Sequence, residues 1–371
     1  MRVLQLGKFY PIRGGVEKVE YDLMLGLSNA GIHCDMLCAS TEDHPSATIH
    51  LNKFATLFVM PTQINAAATK LAPQMITRLK KIANNYDIIH IHHPDPMATL
   101  ALFLSNYKGK VVLHWHSDIL KQKTLLRLYK PLQNWLIKRA DIIVGTTPVY
   151  VEQSKFLKNV QSKIDFIPIG VDVEEDLSPL VNGIKEKHLN RKIIFSLGRL
   201  VEYKGYEYLI KSAKYLDDNY KIVIGGKGPL KEELEKIISD NDLGNKVQLL
   251  GFMTDEEVKA YYQACDLFCL SSILKTEAFA IVQIEAMGYG KPVVSTRIPE
   301  SGVSWVNQNG LSGLTVEISD ERALADSFQT ILTEEEVYKS LSEGAKKRYL
   351  EHFTREKMVD KCLQIYNKIL A

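Results

Sequence analysis

The chain has 371 residues, 46% hydrophobic and 24% charged, which is ordinary globular composition for two to three domains and excludes a disordered chain, a fibre or a coiled-coil rod. Its net charge of +2 is too small to imply nucleic acid as a partner. In the N-terminal half the longest apolar run, residues 97–104 with Thr99 inside it, falls far short of the roughly 20 residues that span a bilayer.

Residues 3–6 read as a short strand and not as a signal peptide, which predicts a soluble or peripheral, cytoplasmic protein. Gly14-Gly15 opens a helical stretch over 16–30, Gly31 stops it, and 33–39 reads as the next strand. Apolar runs follow at 88–92, 111–115 and 142–145, with helix-like stretches between. The pattern is interrupted over 171–191, which holds Glu174, Glu175, Asp176, Pro179, Asn182 and Gly183. Strands resume at 193–197, 221–224, 247–250, 267–270 and 292–295, separated by helices at 205–216, 230–240, 255–264 and 278–287. The last 40 residues read as helix, ending in 355–370. Alternation at this spacing means parallel sheets with crossover helices. The predicted organisation is a doubly wound α/β domain over 1–172, a linker over 173–191, a second such domain over 192–354, and a terminal helix, 355–371, that packs back on the first domain.

Five cysteines in a chain of this length do not make a disulfide framework; four read as small hydrophobes in or beside core strands, and Cys362 as a helix residue. Residues 1–180 hold 20 basic against 16 acidic residues, the remainder 26 against 28. Within the first part, 119–140 carries Lys121, Lys123, Arg127, Lys130, Lys138 and Arg139, leucines between them and no acidic residue. Such a segment suits an anionic membrane surface at the inner face of the cell membrane, or else a solvated helix face whose apolar side is core.

The residues that carry chemistry cluster after strand ends. Glu277 follows the strand at 267–270 and precedes a helix, the place where ligands bind in open α/β sheets. The backbone N–H groups of Phe279, Ala280 and Ile281 would point there toward an anion. A glutamate at that mouth accepts hydrogen bonds from sugar hydroxyls, and Glu285, eight residues on, suits a second hydroxyl group of one long ligand. Gly198 ends the strand at 193–197 and allows close backbone approach; Arg199 and Lys204 follow, and two cations there suit a diphosphate. Gly225-Gly226-Lys227-Gly228 is a glycine turn of the same kind but no P-loop, and Gly14-Gly15 does not complete a dinucleotide fingerprint. His90, His92, His93, His114 and His116 gather at two strand ends, with Asp95 and Asp118 nearby; a metal site is the sharper reading of that group, packed core histidines the plainer one.

Together these motifs resemble the retaining, nucleotide-sugar-dependent glycosyltransferases of family four, which have the GT-B fold of two Rossmann-like domains facing a cleft. The resemblance covers nearly the whole chain. It rests on Glu277 and Glu285 with Ala286-Met287 and 290–294, on Gly198-Arg199-Leu200 with Lys204-Gly205, on Gly14-Gly15-Val16, and on 167–172. The stretch 277–314 looks like bacterial enzymes that build O-antigen, capsule or lipopolysaccharide. The resemblance implies a UDP-sugar as donor, bound chiefly by the C-terminal domain in the cleft, and a glycan or lipid-linked acceptor held by the N-terminal one. It implies that Arg199 and Lys204 hold the diphosphate, Glu285 the ribose, Glu277 the donor sugar, and the 279–281 backbone the β-phosphate. His116 would lie near the donor sugar, and Gly14 and Gly15 would approach the phosphates. No metal and no cofactor are implied. Ala280 stands where the family often has Gly, which narrows the sugar pocket, and Ile169 where many members have Asn. Two other functions fit these residues: a sugar-nucleotide epimerase on a similar fold, and a catalytically silent nucleotide-sugar-binding subunit.

Overall fold

The computed structural model describes residues 1–12, 14–41, 45–66, 69–119, 123–173, 177–188 and 191–371. They form two compact units: Met1–Gly170 together with Arg355–Ala371, and Val171–Thr354. The stretch 173–191, predicted as a linker, belongs to the second unit and carries the helix Ser178–Lys187, with Pro179 in the first turn where its missing N–H costs nothing. Residues 174–176 and 189–190 lie outside the described residues. Among the described residues no helix is long and apolar enough to cross a membrane.

The first unit is built on an eight-stranded sheet in the order Ile164–Phe166, Ile142–Gly145, Lys110–Trp115, Ile88–His93, Arg2–Tyr10, His33–Ser40, Ala55–Met60, Ala47–Asn52. Neighbours are parallel except at the edge, where Ala47–Asn52 runs antiparallel to Ala55–Met60. Sequence reading passed over that hairpin because Ala47–Asn52 is half exposed and carries polar residues at alternate positions. Its turn is set locally, with Asn52 Oδ1 accepting the Phe54 N–H at 2.8 Å. The order of the strands reverses between Arg2–Tyr10 and Ile88–His93, so the carboxyl ends of these two flank the switch point.

The terminal helix Arg355–Leu370 lies against the helix Gly15–Asn29 of the same unit. Gly26 makes the approach possible, since a Cβ there would stand 2.4 Å from Val359 Cγ2. Arg355 pairs with Asp22 at 3.3 Å, and Met358, Val359, Cys362, Ile365 and Tyr366 are buried.

The second unit has six parallel strands in the order Val247–Gly251, Tyr220–Gly225, Lys192–Leu197, Leu267–Leu270, Val293–Arg297, Gly313–Glu317. The last of these, GLTVE, is too polar and short to register as a strand by pattern alone. Ile194, Ile222, Ile224, Leu267 and Val294 from the sheet pack with Leu209, Ile210, Leu324 and Phe328 in one buried cluster. Here the order reverses between Lys192–Leu197 and Leu267–Leu270. Both fold predictions, parallel sheets and double winding, therefore hold for each unit.

Candidate active site

In the second unit the loops after Lys192–Leu197 and Leu267–Leu270 flank the switch point, and they hold the residues singled out from the sequence. Backbone packing brings them together. Gly226, at φ +133°, admits the Gly198 carbonyl so closely that a Cβ would sit 1.9 Å from its oxygen. Gly205, at φ +62°, lets the Lys204 loop press on Ser271, whose carbonyl oxygen would be 2.3 Å from a Cβ at that position. Ser271 Oγ ties the same loop down by donating to the Lys204 carbonyl at 2.9 Å.

That packing delivers Lys204 Nζ to Glu277 Oε2 at 2.6 Å. Both residues are 8% exposed. The same carboxylate oxygen accepts the Ser272 hydroxyl at 2.9 Å, and the Ser301 hydroxyl donates to the Glu277 carbonyl. Burial by itself would lower the Lys204 pKa; the adjoining carboxylate outweighs it and raises the pKa, so the ammonium stays charged. Arg199 has different surroundings. It is exposed, and its guanidinium reaches the Tyr203 hydroxyl at 3.4 Å. The two cations read together in the sequence thus differ: Lys204 is neutralised by Glu277, and Arg199 faces solvent.

The helix beyond Glu277 runs Ile281–Gly288, starting three residues later than the pattern suggested. Its N-cap, Ala280, adopts φ 62° and ψ 81°, a left-handed conformation that strains any residue with a Cβ. Phe279, 4% exposed, packs edge-on to Phe353 at 5.9 Å. In the first turn the Gln283 N–H donates to the Ala280 carbonyl at 3.0 Å, and the turn carries the helix's positive dipole end. Glu285, half-buried, accepts the Tyr262 hydroxyl at 2.9 Å, and Tyr262 is held by Phe195 at 5.3 Å and Phe268 at 5.6 Å.

In the first unit Gly14 is the N-cap of the helix Gly15–Asn29, extended at φ −146° and ψ 173°. A Cβ on it would stand 2.5 Å from Glu17 Oε2. His90, His92, His93 and His114 are fully buried and His116 is 5% exposed. Burial drives the pKa of all five below the usual histidine value, to about 3 for His93 and His114. His90, His92 and His114 bring ring nitrogens within 4.8 Å of one another. Their rings lie at 10°, 18° and 25° to each other. Asp118 accepts from Trp115 Nε1 at 2.9 Å and Ser154 Oγ at 2.7 Å, and Asp95 caps the helix Pro96–Ser105. Neither carboxylate is aimed at the rings by these bonds.

The basic segment forms the helix Lys123–Arg139; Lys121 lies outside the described residues. Arg127 and Lys130 are exposed, and so is Leu128, at 78%, while Tyr129, Leu136 and Ile137 are buried. On the adjacent helix Pro96–Ser105, Leu100, Phe103 and Leu104 are exposed too.

Residues 13–175 match the sequence profile of Glycosyltransferase Family 4, and residues 182–348 that of Glycosyl transferases group 1. Over its full length the chain is 31% identical to the O-antigen chain mannosyltransferase C of Escherichia coli, covering 99% of that protein. It belongs to the family-four glycosyltransferases. A second relative, D-rhamnosyltransferase WbpZ of Pseudomonas aeruginosa, is 29% identical over 95% of this chain and 92% of its own. The fold is GT-B: Anabaena HepE, solved with UDP and glucose, superimposes with a TM-score of 0.77 at 20% identity, covering 99% of each chain. Within this glycosyltransferase, reading the sequence missed Ser272 and Tyr262, the two hydroxyl groups that hold the glutamates. Ser272 carried a faint signal as the polar end of a strand; Tyr262 carried none, because its partner is 23 residues away.

Proposed function

We propose that this glycosyltransferase moves a hexose from a nucleoside diphosphate sugar to a hydroxyl of a glycan or lipid-linked acceptor in bacterial surface-polysaccharide synthesis. The observation that carries this reading is the gathering of Arg199, the Lys204–Glu277 pair and the start of Ile281–Gly288 on the two loops of one switch point. A departing diphosphate carries growing negative charge, and preorganised cations and N–H groups stabilise it where it develops. Arg199 takes the phosphates. Lys204 is held ready by Glu277 and turns to the phosphate when the donor sugar engages the glutamate. Glu285 binds the ribose, and the 279–281 backbone the β-phosphate. Gly14 and Gly15 leave room for phosphate, and His116 meets the sugar.

Relatives named for mannose and D-rhamnose transfer support a manno-configured sugar, and the sequence resemblance favours UDP as carrier. Transfer retains anomeric configuration and needs no divalent metal. The relatives' names speak for transfer and against an epimerase or a silent subunit. The test is turnover of UDP- and GDP-linked hexoses with and without acceptor, before and after EDTA, with the product's anomeric configuration read by NMR. Activity abolished by chelation and restored by Mn²⁺, or an inverted product, overturns the mechanism; epimerised donor without acceptor overturns the reaction.

The segment 119–140 is proposed to rest on anionic membrane through Lys121, Lys123, Arg127 and Lys130, with the exposed Leu128 entering the interface. Each basic residue at such a surface contributes about 1 kcal/mol. Reversing all four to Glu releases the enzyme from anionic vesicles, and wild-type protein that ignores those vesicles at low salt removes the idea.

A further inference from the structure

We propose that Gln5 and His92 fix which ring nitrogen of His116 carries its proton, so that His116 meets its ligand as a hydrogen-bond acceptor and selects a sugar hydroxyl. The inference rests on the reading that His116 meets the sugar, and it adds the chemistry of that meeting.

The argument follows one chain of hydrogen bonds inside the first unit. Tyr366, on the terminal helix, accepts the Gln5 side-chain N–H at 3.3 Å, which turns the amide oxygen of Gln5 toward His92. That oxygen lies 2.8 Å from His92 Nε2. A carbonyl oxygen only accepts, so His92 Nε2 carries the hydrogen. Burial, with neighbouring imidazoles adding to it, holds the pKa of His92 and of His116 well below the usual histidine value, so both rings are neutral. A neutral imidazole has one N–H, and His92 Nδ1 is therefore an acceptor. It stands 2.9 Å from His116 Nε2, which must donate to it. His116 is left with its lone pair on Nδ1.

Packing holds the ring in that orientation. His116 stacks on His114 at 4.1 Å and lies edge to edge with His92, ring centroids 5.2 Å apart and planes 15° apart. It is also the one residue of the five histidines that keeps any exposed surface. An acceptor-only nitrogen repels phosphate and carbonyl oxygens and welcomes O–H. Gln5 and His92 are positioning residues here, and the terminal helix takes part through Tyr366.

NMR of protein labelled with ¹⁵N in the histidine rings reads the tautomer of His116 directly. The expected result is a proton on Nε2 in wild type and in Gln5→Glu, whose carboxylate is also acceptor-only, and a mixture of tautomers in Gln5→Leu. Turnover falls about tenfold in Gln5→Leu, the size of one neutral hydrogen bond, and Gln5→Glu restores it, with nucleoside diphosphate affinity unchanged in both. Monofluoro analogues of donor and of acceptor, one per hydroxyl, locate the partner: fluorine cannot donate, so the analogue lacking the contacted hydroxyl is penalised in wild type and not in Gln5→Leu. A proton on Nδ1 of wild-type His116 overturns the proposal. The stated tautomer together with full turnover of His116→Ala overturns instead the placement of His116 at the sugar.

Discussion

Both units bury titratable groups in or beside the strands that flank the switch point of a doubly wound sheet, and keep them there by opposite means. The first unit gathers the imidazoles of His90, His92, His114 and His116, sets His93 against Trp115, and keeps all five neutral. The second sets Lys204 2.6 Å from Glu277 and keeps the ammonium charged by that pairing. A buried charge without a partner is costly in either unit; neutralisation avoids the charge, and pairing compensates it. The neutral solution ties the first unit to pH. The paired one ties the second to the presence of both partners.

Acid is the strongest way to separate the two. The five histidines have folded pKa values below the unfolded value near 6.5, so below that pH the unfolded chain binds more protons than the folded one. Their stability is complete above pH 6.5 and is lost as pH falls, by about 1.4 kcal/mol per unit for each, down to about 3 for His93 and His114. Asp95, raised to about 6 by burial, and Glu20, also raised by burial, work the other way because their folded forms take up protons first. The net expectation is a loss of stability between pH 7 and 5, because five histidines outnumber the two opposing carboxyls, and it is concentrated in the first unit. Hydrogen exchange followed by mass spectrometry resolves it: Ile88–His93 and Lys110–Trp115 lose protection before Lys192–Leu197 does. Simultaneous loss in both units breaks the comparison.

Removing one partner probes the second unit. Lys204→Ala leaves Glu277 buried and uncompensated and costs about 3–5 kcal/mol. Arg199→Ala, at an exposed site, changes stability by less than about 0.5 kcal/mol. Both lower kcat by roughly 10²-fold, as removal of one preorganised electrostatic donor does. Thermal melts beside kinetics distinguish the two, and a Lys204→Ala protein as stable as wild type means the pair is not the structural element described here.

The glutamates sharpen the division further. Glu285→Ala weakens donor and free nucleoside diphosphate alike, by roughly 1.5–3 kcal/mol, while Glu277→Gln leaves nucleotide affinity nearly intact and reduces turnover. Titration calorimetry with nucleoside diphosphate reads this, and equal losses in both variants would show the assignment is mistaken. The smallest effect is at Ala280, where glycine relieves the left-handed backbone: Ala280→Gly raises stability by about 1 kcal/mol, measurable as a higher Tm. An unchanged or lower Tm means that the loss of the methyl's packing outweighs the strain.

The sequence by itself determined most of the frame. Strand cores such as Ile193-Ile194-Phe195 and Val111-Val112-Leu113 are apolar runs that only a sheet covered on both faces can bury, and the alternation of strand and helix dictates parallel pairing. Glycines at 198, 205 and 226 marked the loops where backbones meet, because a missing Cβ is a local and legible property. The edge strands at Ala47–Asn52 and Gly313–Glu317 were not legible, since a half-exposed edge needs little hydrophobic pattern. What only the tertiary structure decided is which polar groups face each other. Lys204 and Glu277 stand 73 positions apart in the chain, and Gln5 and Tyr366 stand 361 apart. No periodicity records such a meeting. It follows from strand order and from the packing of the terminal helix, and it turns one lysine into a buried partner while Arg199, five positions before it, remains an open cation.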